Sequence, residues 1–194
     1  MKKLALATLL AVTTMSVSAS AADLKIGAAA PDFSLPSAAD GKAVSLKDLT
    51  AKSKAVVVIF IATKCPVSNA YNDRMADLGK EYAAKGIAVV GINSNKAEPA
   101  AEAAEHAKKH GFTFAVVKDD RNKVADQYGA QKTPEVFVVD AKGMLVYHGR
   151  IDENQDDPKG VKSPDLRNAL EAMLAGKPIP APETKAFGCT IKRV

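Results

Sequence analysis

Two cysteines are the residues with the most evident chemistry in this 194-residue sequence, and Cys65 is the stronger candidate. It follows an apolar run that ends at Ile61, and it precedes Pro66, where a helical pattern begins. A thiol at such a strand-to-helix turn lies in front of a helix N-terminus, where unpaired N–H groups and the helix dipole favour a negative charge. Thiols in such positions have pKa values lowered from about 8.5 to roughly 3.5–7.5, and the thiolate is the reactive form. Because Lys64 adds a neighbouring positive charge, the pattern predicts a reactive cysteine.

Residues 1–21 have the three parts of a secretory signal peptide. Lys2 and Lys3 form a short basic start, residues 4–12 are apolar, and small residues at 19–21 form a cleavage signal. We expect cleavage after Ala21 and a periplasmic or secreted protein. An uncleaved anchor is the alternative, but the apolar stretch is short of the roughly 20 residues that span a bilayer. We therefore expect no stable membrane anchor, and an oxidising compartment.

The rest of the chain has the composition of one globular domain. Removing residues 1–21 takes away two lysines and no acid, so the net charge falls from +5 to +3. The remaining lysines are scattered among acidic residues, and no basic cluster is interleaved with aromatic residues, so nucleic-acid binding has no support. We expect one domain over residues 22–176, followed by a proline-rich C-terminal tail over residues 177–194 that carries Cys189.

The apolar patterns alternate between strands and helices. An Asp-Gly pair at 40–41 predicts a small hairpin, and the β-branched run at 54–61 predicts a central strand buried on both faces. Further strands are expected at 87–92, 114–117, 135–139 and 144–147, the last two forming a hairpin. Helices are expected from Pro66 to a cap at Gly86, and at 99–110, 121–128 and 163–175. This order predicts an α/β fold with a mixed sheet.

Four segments, taken in this order, resemble the thioredoxin fold in its redoxin or peroxiredoxin-like branch, the alkyl hydroperoxide reductase/thiol-specific antioxidant family. They are Ala30-Pro31-Asp32-Phe33 with the Asp-Gly hairpin, Phe60-x-Ala62-Thr63-x-Cys65-Pro66, Tyr128-Gly129-Ala130 through Thr133-Pro134, and Val138-Val139-Asp140-x-x-Gly143 with Gly149-Arg150. The resemblance covers about residues 28–176. It implies a three-layer α/β/α sandwich with an N-terminal hairpin, and a thiol-dependent oxidoreductase with an antioxidant or disulfide-exchange role.

The resemblance also implies the site and its partners. Thr133-Pro134 would be a cis peptide packed against Cys65, and the backbone of Thr133 would present polar groups to an extended substrate segment. The partners would be proteins with thiols or disulfides, with peroxide as the alternative substrate. No cofactor or metal is implied, and the sequence leaves the oligomeric state open.

The sequence departs from the redoxin pattern at the active-site motif. Ser68 replaces the second active-site cysteine and cannot form a disulfide. Lys64 replaces the usual tryptophan, and Ile59 replaces a buried acid, so an assisting base must be different or absent.

The peroxide-reducing motif Pro-x-x-x-Thr-x-x-Cys is also missing. Its first two positions hold Val58 and Ala62, and Thr63 comes one residue too late. Arg150 is the nearest candidate for the arginine that peroxide reduction needs, and Arg121 is the alternative. These departures lower the expectation of peroxide activity, while Ser68 lowers that of efficient dithiol exchange. Between the two we slightly favour a peroxiredoxin-like antioxidant role, because the N-terminal hairpin and the distant second cysteine resemble that branch.

With Ser68 in place, an oxidised Cys65 must be resolved from elsewhere, and Cys189 is the candidate. The alternatives are a permanent Cys65–Cys189 disulfide that clamps the tail and two cysteines left unpaired at rest. Closing so long a loop could stabilise the fold by about 4–5 kcal/mol in the chain-entropy model. We favour a redox-active pair, because a structural cysteine does not need an electropositive turn.

Two further classes of function stay open at this stage. One is a non-catalytic binding module that keeps the fold and holds an extended partner at its cis-proline face. The other is a copper(I) carrier that uses both cysteines and a histidine. His106 and His110 have metal-binding spacing on one helix, but the sequence shows no third ligand, so we interpret them as an exposed helical face.

Overall fold

The computed structural model describes residues 24–194, which form a five-stranded mixed sheet with helices on both faces. The predicted signal peptide lies outside the described residues. The central strand β3 (Ala55–Ile61) runs parallel to β4 (Ile87–Asn93), which runs parallel to β5 (Ala115–Lys118) at one edge. On its other side β3 pairs antiparallel with β7 (Glu135–Asp140), and β7 pairs with the edge strand β8 (Leu145–Gly149). The predicted mixed α/β fold is confirmed.

Both faces of β3 are covered, which is why its sequence is an unbroken apolar run. Val57 and Ile59 face one core cluster, which includes α3 (Asn72–Ala84), α4 (Ala100–Lys109) and α6 (Asp165–Leu174). The intervening side chains of β3 face the second cluster, which includes α1 (Leu46–Thr50) and α5 (Lys123–Tyr128). Alternate residues of a strand point to opposite faces, so a doubly covered strand needs apolar residues at every position.

The helix expected from Pro66 to Gly86 is two helices. The first, α2 (Pro66–Ala70), ends at Tyr71, whose N–H reaches Ser68 O and Asn69 O instead of continuing the regular ladder. Tyr71 is fully buried, and its hydroxyl donates to Asp152, so tertiary contacts fix the side chain at the break. The sequence prediction of one continuous helix was wrong here, since the apolar stripe runs through the break.

Short elements complete the chain. The N-terminal hairpin pairs β1 (Ser34–Pro36) with β2 (Ala43–Ser45), as predicted. A 3-10 turn lies at Pro158–Gly160, and two short strands, β6 (Lys132–Thr133) and β9 (Cys189–Thr190), pair antiparallel. Sequence patterns predicted neither β6 nor β9, because two-residue strands have no periodicity. Within residues 24–194, no helix has the length and apolar character needed to cross a bilayer.

Candidate active site

The two cysteines, 124 positions apart in sequence, form a disulfide with a Cα–Cα distance of 5.9 Å. Cys65 follows the short loop of residues 62–64 after the end of β3 and is 3% exposed. It is the N-cap residue of α2, with Pro66 in the first helical turn, where a missing N–H costs little. Cys189 comes from β9, so the sheet end and the C-terminal tail together build the site.

Ser68 binds both sides of the strand-to-helix turn. Its N–H donates to the Sγ of Cys65 over 3.3 Å, and its Oγ accepts from the N–H of Ala62 over 3.2 Å. The side chain is fully buried. The helix α2 is only five residues long. We therefore assign the stabilisation of a charge on this sulfur to one hydrogen-bond donor, the N–H of Ser68, rather than to the helix as a whole.

The peptide bond between Thr133 and Pro134 is cis, as expected, and it lies against the sulfur. The carbonyl oxygen of Thr133 is 3.3 Å from the Sγ of Cys65. In the disulfide this sulfur has no hydrogen, so the pair is a contact, whereas a thiol at the same place could donate to the carbonyl. The backbone of Thr133 is also paired with Cys189 in the β6–β9 ladder.

Glu98 holds the loop that precedes Cys65. One carboxylate oxygen accepts from the N–H of Thr63 (2.8 Å) and the other from the N–H of Lys64 (3.1 Å). The amides of Asn93 and Asn95 donate to the same two oxygens, so the carboxylate, 3% exposed, has four donors. The sequence analysis missed Glu98, because it lies more than 30 residues along the chain and no motif marks it.

The predicted supporting residues Thr63 and Lys64 turn their side chains toward Glu102. The hydroxyl of Thr63 donates to this carboxylate, and the ammonium of Lys64 lies 2.9 Å from it. The bond from Thr63, followed by that from Lys64, lowers the pKa of Glu102. The positive charge expected beside the thiol is therefore paired with a carboxylate and more than half exposed.

Arg150 forms an ion pair with Asp165. Its Nε donates to Asp165 over 2.7 Å, and this hydrogen bond raises the pKa of the guanidinium. The acidic loop that follows is organised by Arg74, which donates to both carboxylate oxygens of Asp152. The geometry brings together Cys65, Cys189, Ser68, Thr133 and Pro134, whereas Arg150 is paired with Asp165.

His106 packs beside the active-site helix. Its Nε2 lies 2.9 Å from Asn69 Oδ1, and Asn69 in turn donates to the carbonyl of Thr63. Burial, and then the charge of His110, lower the pKa of His106. Within the part of the chain that the structure describes, no three or more His, Cys, Asp or Glu side chains are grouped so that they could hold a metal ion.

The tail reaches the site along the edge of the sheet. In β8 the N–H of His148 donates to the carbonyl of Pro182, and the carbonyl of His148 accepts from the N–H of Thr184. The tail therefore runs parallel to β8 at this point. Farther on, Gly188 approaches the backbone so closely that a Cβ there would lie 2.1 Å from the oxygen of Thr133. The glycine before Cys189 is thus required for the tail to dock as it does.

Comparison with known proteins places the chain in a family. The model of the AhpC/TSA family matches residues 26–148. The chain is 30% identical over 120 residues to the thiol-disulfide oxidoreductase ResA of Bacillus subtilis, covering 62% of this chain and 64% of ResA. It is 32% identical over 141 residues to the chloroplastic peroxiredoxin Q of Oryza sativa subsp. japonica, covering 69% of this chain and 61% of that protein. The alignments thus span less than two thirds of either relative.

Among solved structures, the hypothetical protein SMc02350 from Sinorhizobium meliloti 1021 has a similar fold. It superposes with a TM-score of 0.82 at 35% identity, covering 89% of this chain and 97% of that one. The similarity extends over most of both chains, including more of this chain than the family model matches.

Proposed function

The chain belongs to the AhpC/TSA family of thiol-dependent oxidoreductases, and we propose that it exchanges disulfides with protein partners through Cys65. In this proposal Cys65 is the attacking thiolate and Cys189 the resolving thiol. Thr133 and Pro134 form the wall against which a substrate cysteine is presented. Ser68 stabilises the sulfur through its N–H, while Thr63, Lys64 and Pro66 set the position of the turn.

One observation carries this proposal: a cysteine in an extended polypeptide is already bonded to Cys65. Cys189 lies opposite Thr133 in an antiparallel ladder, with the cis peptide beside it. A strand that pairs in this way brings its cysteine sulfur to Cys65 without further rearrangement. The site therefore fits a protein disulfide, in which the reacting sulfur is attached to backbone that can pair.

The reaction consists of two successive thiol–disulfide exchanges. The thiolate of Cys65 attacks one sulfur of a partner disulfide, forms a mixed disulfide and releases the partner's second sulfur as a thiolate. The thiolate of Cys189 then attacks the sulfur of Cys65, forming the internal disulfide and releasing the partner's first sulfur. The partner is reduced by two electrons, and two external thiol groups then reduce the internal disulfide and leave as a disulfide of their own.

Peroxide reduction is the second candidate, and the similarity to peroxiredoxin Q favours it. There the thiolate would attack a peroxide oxygen, giving a sulfenic acid and an alcohol or water, and Cys189 would displace water from that sulfur. Two contacts weigh against it, since the hydroxyl of Thr63 is bound to Glu102 and the guanidinium of Arg150 to Asp165. The hydroxyl proton of Thr63 is thus engaged, and the charge of Arg150 is paired with a carboxylate.

Trapping with the Cys189→Ser variant tests the proposal. Without the resolving thiol, Cys65 should accumulate mixed disulfides with a disulfide-bonded protein such as insulin, visible by mass spectrometry, and should react with hydrogen peroxide more slowly. Cys65→Ser is the matched control and should trap nothing. Faster reaction with peroxide than with the protein disulfide would favour the second candidate, and reaction with neither would leave the binding module.

We also propose that residues 1–21 are removed on export and that the mature protein is periplasmic or secreted, with the redoxin domain over 22–176 and the tail over 177–194. An oxidising compartment is the place where such a cysteine pair can form a disulfide. The mass of the exported protein tests this proposal, because cleavage after Ala21 gives one defined N-terminus.

A further inference from the structure

Residues 188–193 of the C-terminal tail lie in a groove that bonds to their backbone from both sides. On one side Ile191 N–H donates to Gln131 O over 3.0 Å, next to the β6–β9 pair. On the other side Lys192 N–H donates to the side chain of Asn95 over 2.7 Å, and Lys192 O accepts from Lys96 N–H over 2.9 Å. Backbone pairing of this kind is how proteins capture extended peptides by strand addition.

The groove also contacts the side chains of this segment. Ile191 is 3% exposed and belongs to the core cluster that contains Val124, Ala125 and Tyr128. Arg193 donates to Asp126 over 2.8 Å and to the carbonyl of Ala130. Counted from Cys189, the groove thus holds a glycine one residue before, an aliphatic side chain two residues after, and a basic side chain four residues after.

We propose that this segment is a built-in substitute for the substrate, and that the reduced protein binds in the same groove an extended segment of a disulfide-bonded protein partner. The partner segment has a glycine before its cysteine, an aliphatic residue two positions after it and an arginine or lysine four positions after it. The inference rests on the proposed function, since a partner bound here must exchange disulfides with Cys65.

In each reaction cycle the tail leaves the groove and later returns to it. After an external thiol has reduced the internal disulfide, the partner strand replaces the tail along β6. Cys65 thiolate attacks the partner sulfur opposite Thr133, and the partner's other sulfur leaves as a thiolate. When Cys189 attacks the sulfur of Cys65, the tail returns to the groove and the partner leaves with both cysteines reduced.

A synthetic peptide of residues 187–193, with its cysteine linked to glutathione, is the probe. Its rate of transfer to Cys65 is measured by mass spectrometry in the full-chain Cys189→Ser variant. We expect transfer at least tenfold faster than for the same peptide with aspartate at the aliphatic position, and faster than for one with alanine before the cysteine. Oxidised glutathione alone reports exchange that does not use the groove.

Substitutions in the protein should change the transfer rate in opposite directions. Asp126→Arg should slow the natural peptide and accelerate a peptide with glutamate at the last position, whereas Asp77→Arg, exposed on α3, should change neither rate. Ile191→Asp in the chain, made together with Cys189→Ser, should release the tail and accelerate transfer, although the same change in the peptide slows it. Circular dichroism of each variant verifies its fold.

The outcomes separate this inference from the proposed function. Equal rates for all peptides, with normal reaction of oxidised glutathione, would overturn the inference and leave disulfide exchange intact. Failure of oxidised glutathione and every peptide to react with Cys65 would remove both.

Discussion

At the scale of single residues, the site depends on a few buried polar groups that bind backbone. Ser68 occupies the position where a second cysteine would be expected, yet it is fully buried and binds both the sulfur of Cys65 and the strand end. Glu98 supplies the corresponding support to the two residues before the cysteine. The reactive sulfur is thus positioned by its own loop, and the second sulfur arrives from the tail.

Glu98→Gln should destabilise the fold and slow exchange at Cys65. Each carboxylate oxygen of Glu98 accepts two hydrogen bonds. An NH₂ group in the place of either oxygen would face those two N–H donors and leave them unsatisfied, and unsatisfied buried groups cost about 1–3 kcal/mol each. We expect a loss of about 2–4 kcal/mol in the free energy of unfolding, measured in urea, and slower reaction with oxidised glutathione. Glu102→Gln is the matched control, since its carboxylate is one-third exposed and should cost at most about 1 kcal/mol. Equal losses for both variants would contradict this role of Glu98.

His106 makes stability depend on pH in a predictable direction. Its pKa in the folded protein is lowered below the ordinary value of 6.5 by burial and by His110, against smaller opposing effects of Glu98 and Glu102. Below about pH 6.5 the unfolded chain therefore binds more protons at this position than the folded one, so acidification destabilises the fold. His106→Gln should reduce the loss of stability between pH 7 and pH 5 in urea unfolding. An unchanged or steeper loss would count against this assignment.

At the scale of elements, the sequence predicted the regular sheet well, because its strands are runs of apolar residues that must be covered. The first and last residues of β3, β4 and β7 lie within one or two residues of the predicted ones. The break at Tyr71 and the short strands β6 and β9 were not predictable, since they depend on contacts between segments distant in sequence. The cysteines could be selected from the sequence, but the pairing of Cys189 with the backbone of Thr133 required the structure.

Gly188→Ala should weaken the docking of the tail. The added Cβ would lie 2.1 Å from the oxygen of Thr133, and the φ of +143° is itself unfavourable for other residues. We expect the equilibrium constant for forming the Cys65–Cys189 disulfide to fall at least tenfold in a thiol buffer. Gly111→Ala is the matched control, because Gly111 also has a positive φ but no atom lies within 4 Å of its added Cβ. If the two variants shift the equilibrium equally, the close approach to Thr133 has no role in docking.

At the scale of the whole molecule, the disulfide joins the tail to the sheet, and the tail has further anchors of its own. Ile191 is buried in the second core cluster, and Arg193 is bonded to Asp126. These contacts do not depend on the sulfur–sulfur bond. The reduced protein should therefore remain folded, which a redox-active pair requires.

Reduction should lower the free energy of unfolding by about 2–4 kcal/mol without unfolding the protein. The chain-entropy model gives about 5 kcal/mol for a loop of this length as an upper figure. Urea unfolding of the oxidised and reduced forms measures the difference, and the Cys65→Ser/Cys189→Ser variant should match the reduced form. Loss of the native circular dichroism on reduction would contradict the prediction and indicate a structural clamp.

Whether the Cys65–Cys189 pair is redox-active is measured by a thiol-buffer titration with mass spectrometry of the alkylated protein. We predict that the disulfide equilibrates at a potential between roughly −120 and −270 mV, the range of thiol-exchange proteins. A disulfide that persists below about −300 mV would behave as a structural bond. That result would contradict a redox-active pair and favour the non-catalytic binding module.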